Sequence, residues 1–335
     1  MDDLKFTNIA ETSAQNYKVR LEKLSAISGK SLVYILAHPR EIYAVMFDYT
    51  KGKCVTIANY VTAVCKVFSS YPDIAKKYNN SYKKWKQLLY KCRAEQNQNY
   101  STNMAPEKKL NQIVSMQEIQ KKYAELKSND AGSMKLLLLS CFSNLAPKRA
   151  DLGNVRIYLS ASDIPADSHK HNFIYLGTGD NFRVRPFIQI NKFKTAATYK
   201  EGIRELINDT LLGDIIASLK VNPRQYLFVD SKGQPYMKNN SYSQFVKRTF
   251  EGLFGKGKGM GVSLWRHVYV SSQIDFNKMS EHDIAEKIRN MGTSENQVRQ
   301  VYKWINMEPA AGLAPLDKST IRSKYVCETV CRPIN

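Results

Sequence analysis

The chain has 335 residues, 43% of them apolar, and carries a formal charge of +20 from 50 basic and 30 acidic residues. That length is too great for one typical core, so two domains are expected, and no run approaches the ~18 consecutive apolar residues of a membrane span. The basic excess is spread evenly, with a net +10 in residues 1–127 and another +10 in residues 128–335. This pattern suits two domains gripping one polyanion better than a globule with a basic arm.

The segment starting Met1-Asp2-Asp3 is acidic and lacks a secretory apolar stretch, so a cytosolic or nuclear protein is expected, not a secreted one. Six cysteines are scattered at positions 54, 65, 92, 141, 327 and 331 and read as reduced thiols. Cys327 and Cys331 form a lone C-x-x-x-C with no second ligand pair nearby, which does not make a zinc site.

Residues 14–127 read as helical. Ser31 to Ala37 is an apolar run, and Pro39 suits the first turn of the next helix, Arg40 to Phe47. Helices are expected over Val55 to Phe68 and Asp73 to Cys92. The second of these carries Lys76, Lys77, Lys83, Lys84, Lys86 and Lys91, with Tyr82, Trp85, Leu88 and Leu89 interleaved at helical spacing. Its lysine face is either a solvated helix face or a surface that tracks phosphates. Residues 94–113, rich in Asn, Gln, Ser and Thr, read as a long loop or interdomain linker. A short helix is expected over Gln117 to Leu126.

From Gly132 the pattern changes. Met134 to Phe142 reads as a buried helix, and Val155 to Leu159, Phe173 to Leu176 and Phe187 to Ile190 as strands. Residues 193–206 complete a β-hairpin, and Tyr226 to Val229 is a brief strand. Helices follow over Leu211 to Leu219, Ser241 to Phe254, Leu264 to Phe276, Glu281 to Arg289 and Glu295 to Ile305. Lys256-Gly-Lys-Gly259 is a flexible basic loop. A linker-like stretch from Glu308 to Pro315 precedes a last helix over Lys318 to Val330.

Four short motifs bear chemistry. Pro147-Lys-Arg149-Ala-Asp151-Leu152 follows the buried helix, and the guanidinium fork of Arg149 suits the non-bridging oxygens of a phosphate, with Asp151 placed to orient it. Ile190-Asn-Lys192-Phe-Lys194-Thr195 ends a strand at the hairpin. A lysine there reaches a leaving oxygen as a general acid, and Lys192 competes with Lys194 for that role. In Gly261-Val-Ser263-Leu-Trp-Arg266-His267, Ser263 and Arg266 are three apart on one helical face. Finally, Tyr302 lies nine residues after Thr293 of Met291-Gly-Thr293-Ser294.

In order and spacing these motifs resemble the tyrosine recombinase, or phage-integrase, family, and the stretches Pro147 to Val155, Asn191 to Tyr199, Tyr226 to Arg248 and Ser263 to Ser271 look most like its divergent members carried by large DNA viruses. The resemblance runs over about residues 30–305. The segment around Thr56, Asn59 and Tyr60 resembles the family's helical core-binding domain. It implies an all-α core-binding bundle with its linker over residues 1–112. An α+β catalytic domain, mainly helical with a short antiparallel sheet, covers residues 113–307. The resemblance further implies a tail at 308–335 that docks on a neighbouring protomer, the alternative being a tail packed on its own domain, and a C-shaped clamp of the two domains around double-stranded DNA.

The resemblance also implies a catalytic set of Arg149, Lys194, Ser263, Arg266, Thr293 and Tyr302, no cofactor or metal, a 3′-phosphotyrosyl intermediate, and a tetramer on two duplexes. Two positions depart from the family. Ser263 and Thr293 stand where histidines, or a tryptophan at the second, are usual. A hydroxyl donates to a phosphate oxygen but is no base near neutral pH, which leaves His267 and His282 as nearby replacements. A type IB topoisomerase, or a DNA-binding protein that no longer cuts, are the alternative readings.

Overall fold

A computed structural model describes residues 4–7, 9–180, 184–196, 202–237 and 240–304. The expected tail helix and the Cys327–Cys331 pair lie outside them. The described residues fall into two compact units, one ending at Thr102 and one starting at Asn103. They are mostly helical, with a small four-stranded sheet in the second unit. No described helix is long and apolar enough to cross a membrane.

The first unit is built from α1 (Glu11–Ser28), α2 (Leu32–Ala37), α3 (Pro39–Thr50), α4 (Cys54–Ser70), α5 (Pro72–Lys77) and α6 (Asn79–Ser101). Local signals set most of the boundaries. Gly29 closes α1 in the left-handed region at φ +63°, the Ser31 hydroxyl caps α2 by accepting from the Tyr34 N–H, and Pro39 opens α3. The central helix, α4, buries Ile57, Val61, Val64 and Val67 with Leu21, Leu24, Ile42, Met46 and Trp85. Trp85 is fully buried, and its indole N–H donates to the Leu36 carbonyl at 3.2 Å, meeting the polar demand of a large apolar anchor. Along α5 and α6, Trp85, Leu88 and Cys92 face inward, while Lys76, Lys77, Lys83, Lys84, Lys86 and Lys91 are all exposed.

Two expectations change here. The single helix over Asp73–Cys92 is broken at Tyr78, and the polar stretch expected to be a linker instead continues α6 to Ser101. Glu, Gln and Ala are good helix formers, and the Cys54 thiol donates to the Glu95 carboxylate at 2.9 Å, tying that extension to α4. Cys54, Cys65, Cys92 and Cys141 are free thiols.

The second unit begins with α7 (Glu107–Leu110), α8 (Met116–Asn129) and α9 (Met134–Asn144). A capping box between Ser115 and Glu118 starts α8, and Ser133 caps α9. Leu136 to Phe142 of α9 are all buried. Helix α10 (Asp209–Val221) packs on α9, where buried Asp214 accepts from Tyr123, Lys127 and Ser140. Three longer helices follow, α11 (Ser241–Phe254), α12 (Val262–Gln273) and α13 (Glu281–Asn290).

The sheet runs in the order β1 (Arg156–Tyr158), β2 (Phe173–Tyr175), β3 (Phe187–Ile190), β4 (Ile203–Leu206). β2–β3 and β3–β4 are antiparallel, as expected, but β1 pairs with β2 in parallel, with Ile157 opposite Ile174. The sheet is therefore mixed and not antiparallel. The chain between β1 and β2 makes two short 3-10 turns, at Ala161–Asp163 and Ser168–Lys170, which return it to start β2 beside the start of β1. Tyr226 to Val229 makes only isolated bridges, to Arg156 and Pro235. The expected helix at Glu295–Ile305 is one turn of α-helix, α14 (Glu295–Gln297), followed by a π-helical turn, Val298–Tyr302.

Candidate active site

The carboxyl end of α13 organises the site. The last four carbonyls of a helix lack intrahelical partners, and the helix dipole makes that end attractive to cations. Three successive carbonyls there each receive a cationic side chain. Lys148 donates to Asn290. Arg266 donates through Nη1 to Met291 at 2.8 Å, and Arg149 through Nη1 to Gly292 at 3.1 Å. The Thr195 hydroxyl also donates to Gly292, at 3.0 Å. Gly292 has φ +62°, and a Cβ there would sit 3.0 Å from Ile203 Cδ1 and 3.3 Å from the Phe193 ring. Glycine lets the chain turn left-handed while β4 and the Phe193 ring approach closely.

Each cation is itself anchored. Lys148 is buried and pairs with Glu205 of β4 at 2.5 Å, and the other Glu205 oxygen accepts from the Ala146 N–H at 2.8 Å. Arg149 is half-buried after α9, and its main-chain N–H donates to Asp151 at 3.1 Å. Burial raises the Asp151 pKa above the ordinary carboxylate value, opposed by the Arg149 N–H and by the charges of Arg149, Arg266 and Lys148. Asp151 thus supports Arg149 through the main chain.

Arg266 is only 1% exposed. Its Nη1 bridges Pro147, at 2.7 Å, and Met291, stitching the Arg149 loop to the α13 turn. Its Nε and Nη2 are buried without a hydrogen-bond partner. Burial lowers its pKa from the ordinary value and Arg149 adds to that, while Tyr302 opposes the shift. Tyr302 lies close enough to favour the charged guanidinium without meeting the geometry of a hydrogen bond to either free nitrogen. The guanidinium carbon is 4.7 Å from the centre of the Tyr302 ring, within cation–π range. A buried donor left unpaired costs about 1–3 kcal/mol, and more when charged. Two such donors on one fork form a ready receptor for an oxyanion.

Tyr302 is 8% exposed and belongs to a small apolar cluster with Val270, Ile274, Ile284, Ile288, Met291 and Val298. His267 holds its main chain. The imidazole Nδ1 lies 3.2 Å from the Tyr302 carbonyl, so the N–H is on that nitrogen and donates, and the ring stacks on Trp304 at 3.5 Å. Burial pushes the His267 pKa down to about 3, with Lys109 and Arg266 adding to the effect. This histidine is neutral, a poor proton acceptor, and is already engaged with the backbone.

Arg149, Arg266, Thr293 and Tyr302 therefore gather around one turn, with Thr293 buried directly after Gly292. Lys194 is exposed, and its neighbour Thr195 is fastened to the same turn. Ser263 stands exposed on the first turn of α12, one turn before buried Arg266, and His282 is exposed on α13. Lys148, Glu205, Gly292 and Asn172 belong to the site without being marked by any motif of their own. A lysine beside Arg149 and a glycine after a helix were visible signals. The contacts that give them meaning are long-range.

No family model and no curated protein matches the chain. Among solved structures it is similar to the crystal structure of XerA recombinase, at 13% identity and a TM-score of 0.37, over 94% of this chain and 90% of that one. At that distance the likeness assigns neither family nor activity to this chain.

Proposed function

We propose that this protein is a site-specific DNA recombinase or integrase that cuts and rejoins double-stranded DNA through a 3′-phosphotyrosyl intermediate. The observation that carries this reading is the buried Arg266 fork, with two free donors, against the Tyr302 ring and one carbonyl away from Arg149 on the α13 turn. The order of the sequence motifs and the charge of +20 support it, as does the exposed lysine face of α5 and α6.

In this mechanism Tyr302 Oη attacks the scissile phosphorus and gives its phenolic proton to solvent, since Ser263 and Thr293 are no bases and His267 is held neutral by burial and engaged with the Tyr302 carbonyl. An O–P bond to tyrosine forms as the bond to the 5′-oxygen breaks. Arg149 and Arg266 offset the charge of the pentacoordinate transition state, and Thr293 lies beside them. Ser263, one turn before Arg266 on α12, is a hydroxyl donor to the phosphate. Lys194 gives its proton to the departing 5′-oxygen. A 5′-hydroxyl from a second strand then attacks the phosphotyrosine and restores the phosphodiester, so the reaction needs no ATP. Exchange between two duplexes takes four protomers. Phosphate contacts dominate affinity, so binding weakens steeply with salt.

The test is a nicked duplex whose short 5′-end diffuses away after cutting. Wild type is expected to trap a covalent protein–DNA adduct and to resolve four-way junctions. Relaxation of supercoils without strand exchange would favour a type IB topoisomerase. Binding without any adduct would leave a non-cutting DNA-binding protein.

A further inference from the structure

Asn172, directly before β2, is 2% exposed and uses its whole hydrogen-bonding capacity on two loops. Its amide nitrogen donates to the Asp151 carbonyl at 3.3 Å and the Lys192 carbonyl at 3.1 Å. Its oxygen accepts from the Asn191 N–H at 2.9 Å and the Lys192 N–H at 2.7 Å. An asparagine offers two donors and two lone pairs, and all four are spent on main chain. Asn191 answers from the other side, donating to the carbonyls of Ser168 and His171, each at 3.1 Å.

One partner loop carries Arg149, whose N–H is held by Asp151. The other leaves β3 and carries Lys194. That second loop is pinned twice, by Asn172 at residues 191–192 and by Thr195 on Gly292. Lys194 stands exposed between the two pins. A long, flexible ammonium side chain delivers a proton only if its backbone is held at the right distance from the anion site. We infer that Asn172 is a positioning residue that sets the Lys194 loop in register with the Arg149 loop for leaving-group protonation. This rests on the cutting-and-rejoining reading above.

The test compares two nicked duplexes, one with the ordinary 5′-oxygen at the scissile phosphate and one with a bridging 5′-sulfur. Sulfur departs as a thiolate and needs no proton. Asn172→Ala and Asn172→Asp, which keeps both acceptor contacts but sets an oxygen against the Asp151 and Lys192 carbonyls, are measured beside Lys194→Ala. Both Asn172 variants are expected to cut the oxygen substrate at least about tenfold slower than wild type while cutting the sulfur substrate at close to the wild-type rate, the pattern of a lost general acid.

Equal losses on both substrates would overturn the inference, as would no loss on either, or failure of both variants to fold, since each makes Asn172 a packing residue only. These outcomes leave the cutting reading intact, because wild type still cuts. If wild type cuts neither substrate, the cutting reading itself fails and this inference falls with it.

Discussion

Arg149 and Arg266 donate to consecutive main-chain carbonyls, Gly292 and Met291, at the carboxyl end of α13. Two guanidinium groups brought this close repel one another, and Arg149 contributes to lowering the Arg266 pKa. The helix dipole and the two carbonyls offset part of that cost. An anion between the arginines would offset more. Under the proposed function, the repulsion is the site's readiness for a phosphate.

Arg266→Ala is expected to lower covalent adduct formation by at least about a hundredfold, in the range of losing an oxyanion donor, while much of the DNA binding survives. Arg266→Lys keeps a charge but loses the fork, and is expected to be nearly as inactive. Adduct yield and filter binding on the same preparations check both. Loss of binding in proportion to cutting would count against a catalytic role.

Gly292→Ala forces an L side chain into a left-handed backbone with Ile203 Cδ1 3.0 Å away. A loss of stability of about 1–2 kcal/mol is expected from the backbone alone. Activity should fall further than stability, because the displaced carbonyl releases both Arg149 and Thr195. Urea unfolding and adduct yield, measured together, separate the two effects. An alanine variant as stable and active as wild type would show that the turn does not organise the arginines.

Much of this architecture is visible in the chain before folding. The apolar run of α9, the serine caps, Pro39 and the β3–β4 hairpin announce themselves locally, and the motif order points to Arg149, Arg266 and Tyr302. The rest depends on contacts between distant segments. Nothing near Lys148 in sequence indicates that Glu205 and Asn290 receive it. Asn172, beside a strand, reads as ordinary turn chemistry until its four partners are known. The π-helical turn at Val298–Tyr302 follows no periodicity, because it places Tyr302 in a cluster built from α12 and α13. The parallel β1–β2 pair needs the return path through Ala161–Lys170, which no alternation pattern encodes.

Ser263 is exposed on the first turn of α12, where a larger side chain meets solvent and not core. Ser263→His is expected to keep or raise cutting, since an imidazole donates to a phosphate oxygen and also accepts a proton near neutral pH. A folded but dead Ser263→His protein, measured by adduct yield, would mean this pocket is built around something else.

His267 makes a pH prediction. Its folded pKa of about 3 lies below the ordinary histidine value, so the native state favours the neutral ring. The stabilisation is fully present above the unfolded pKa near 6.5 and is lost as pH falls toward 3, with a slope of up to about 1.4 kcal/mol per pH unit. Urea midpoints of wild type and His267→Gln between pH 7.5 and 4, at about half-unit steps, isolate the term. The wild-type curve should fall more steeply than the variant's below about pH 6.5. Parallel curves would contradict the assignment.

The central claim is tested most directly by locating the covalent bond. The chain holds 20 tyrosines. Protein trapped on the nicked duplex, digested with nuclease and protease and analysed by mass spectrometry, should carry a nucleotide phosphate on Tyr302 alone, and Tyr302→Phe should trap none. No adduct from wild type, an adduct on another residue, or equal trapping by Tyr302→Phe would contradict it.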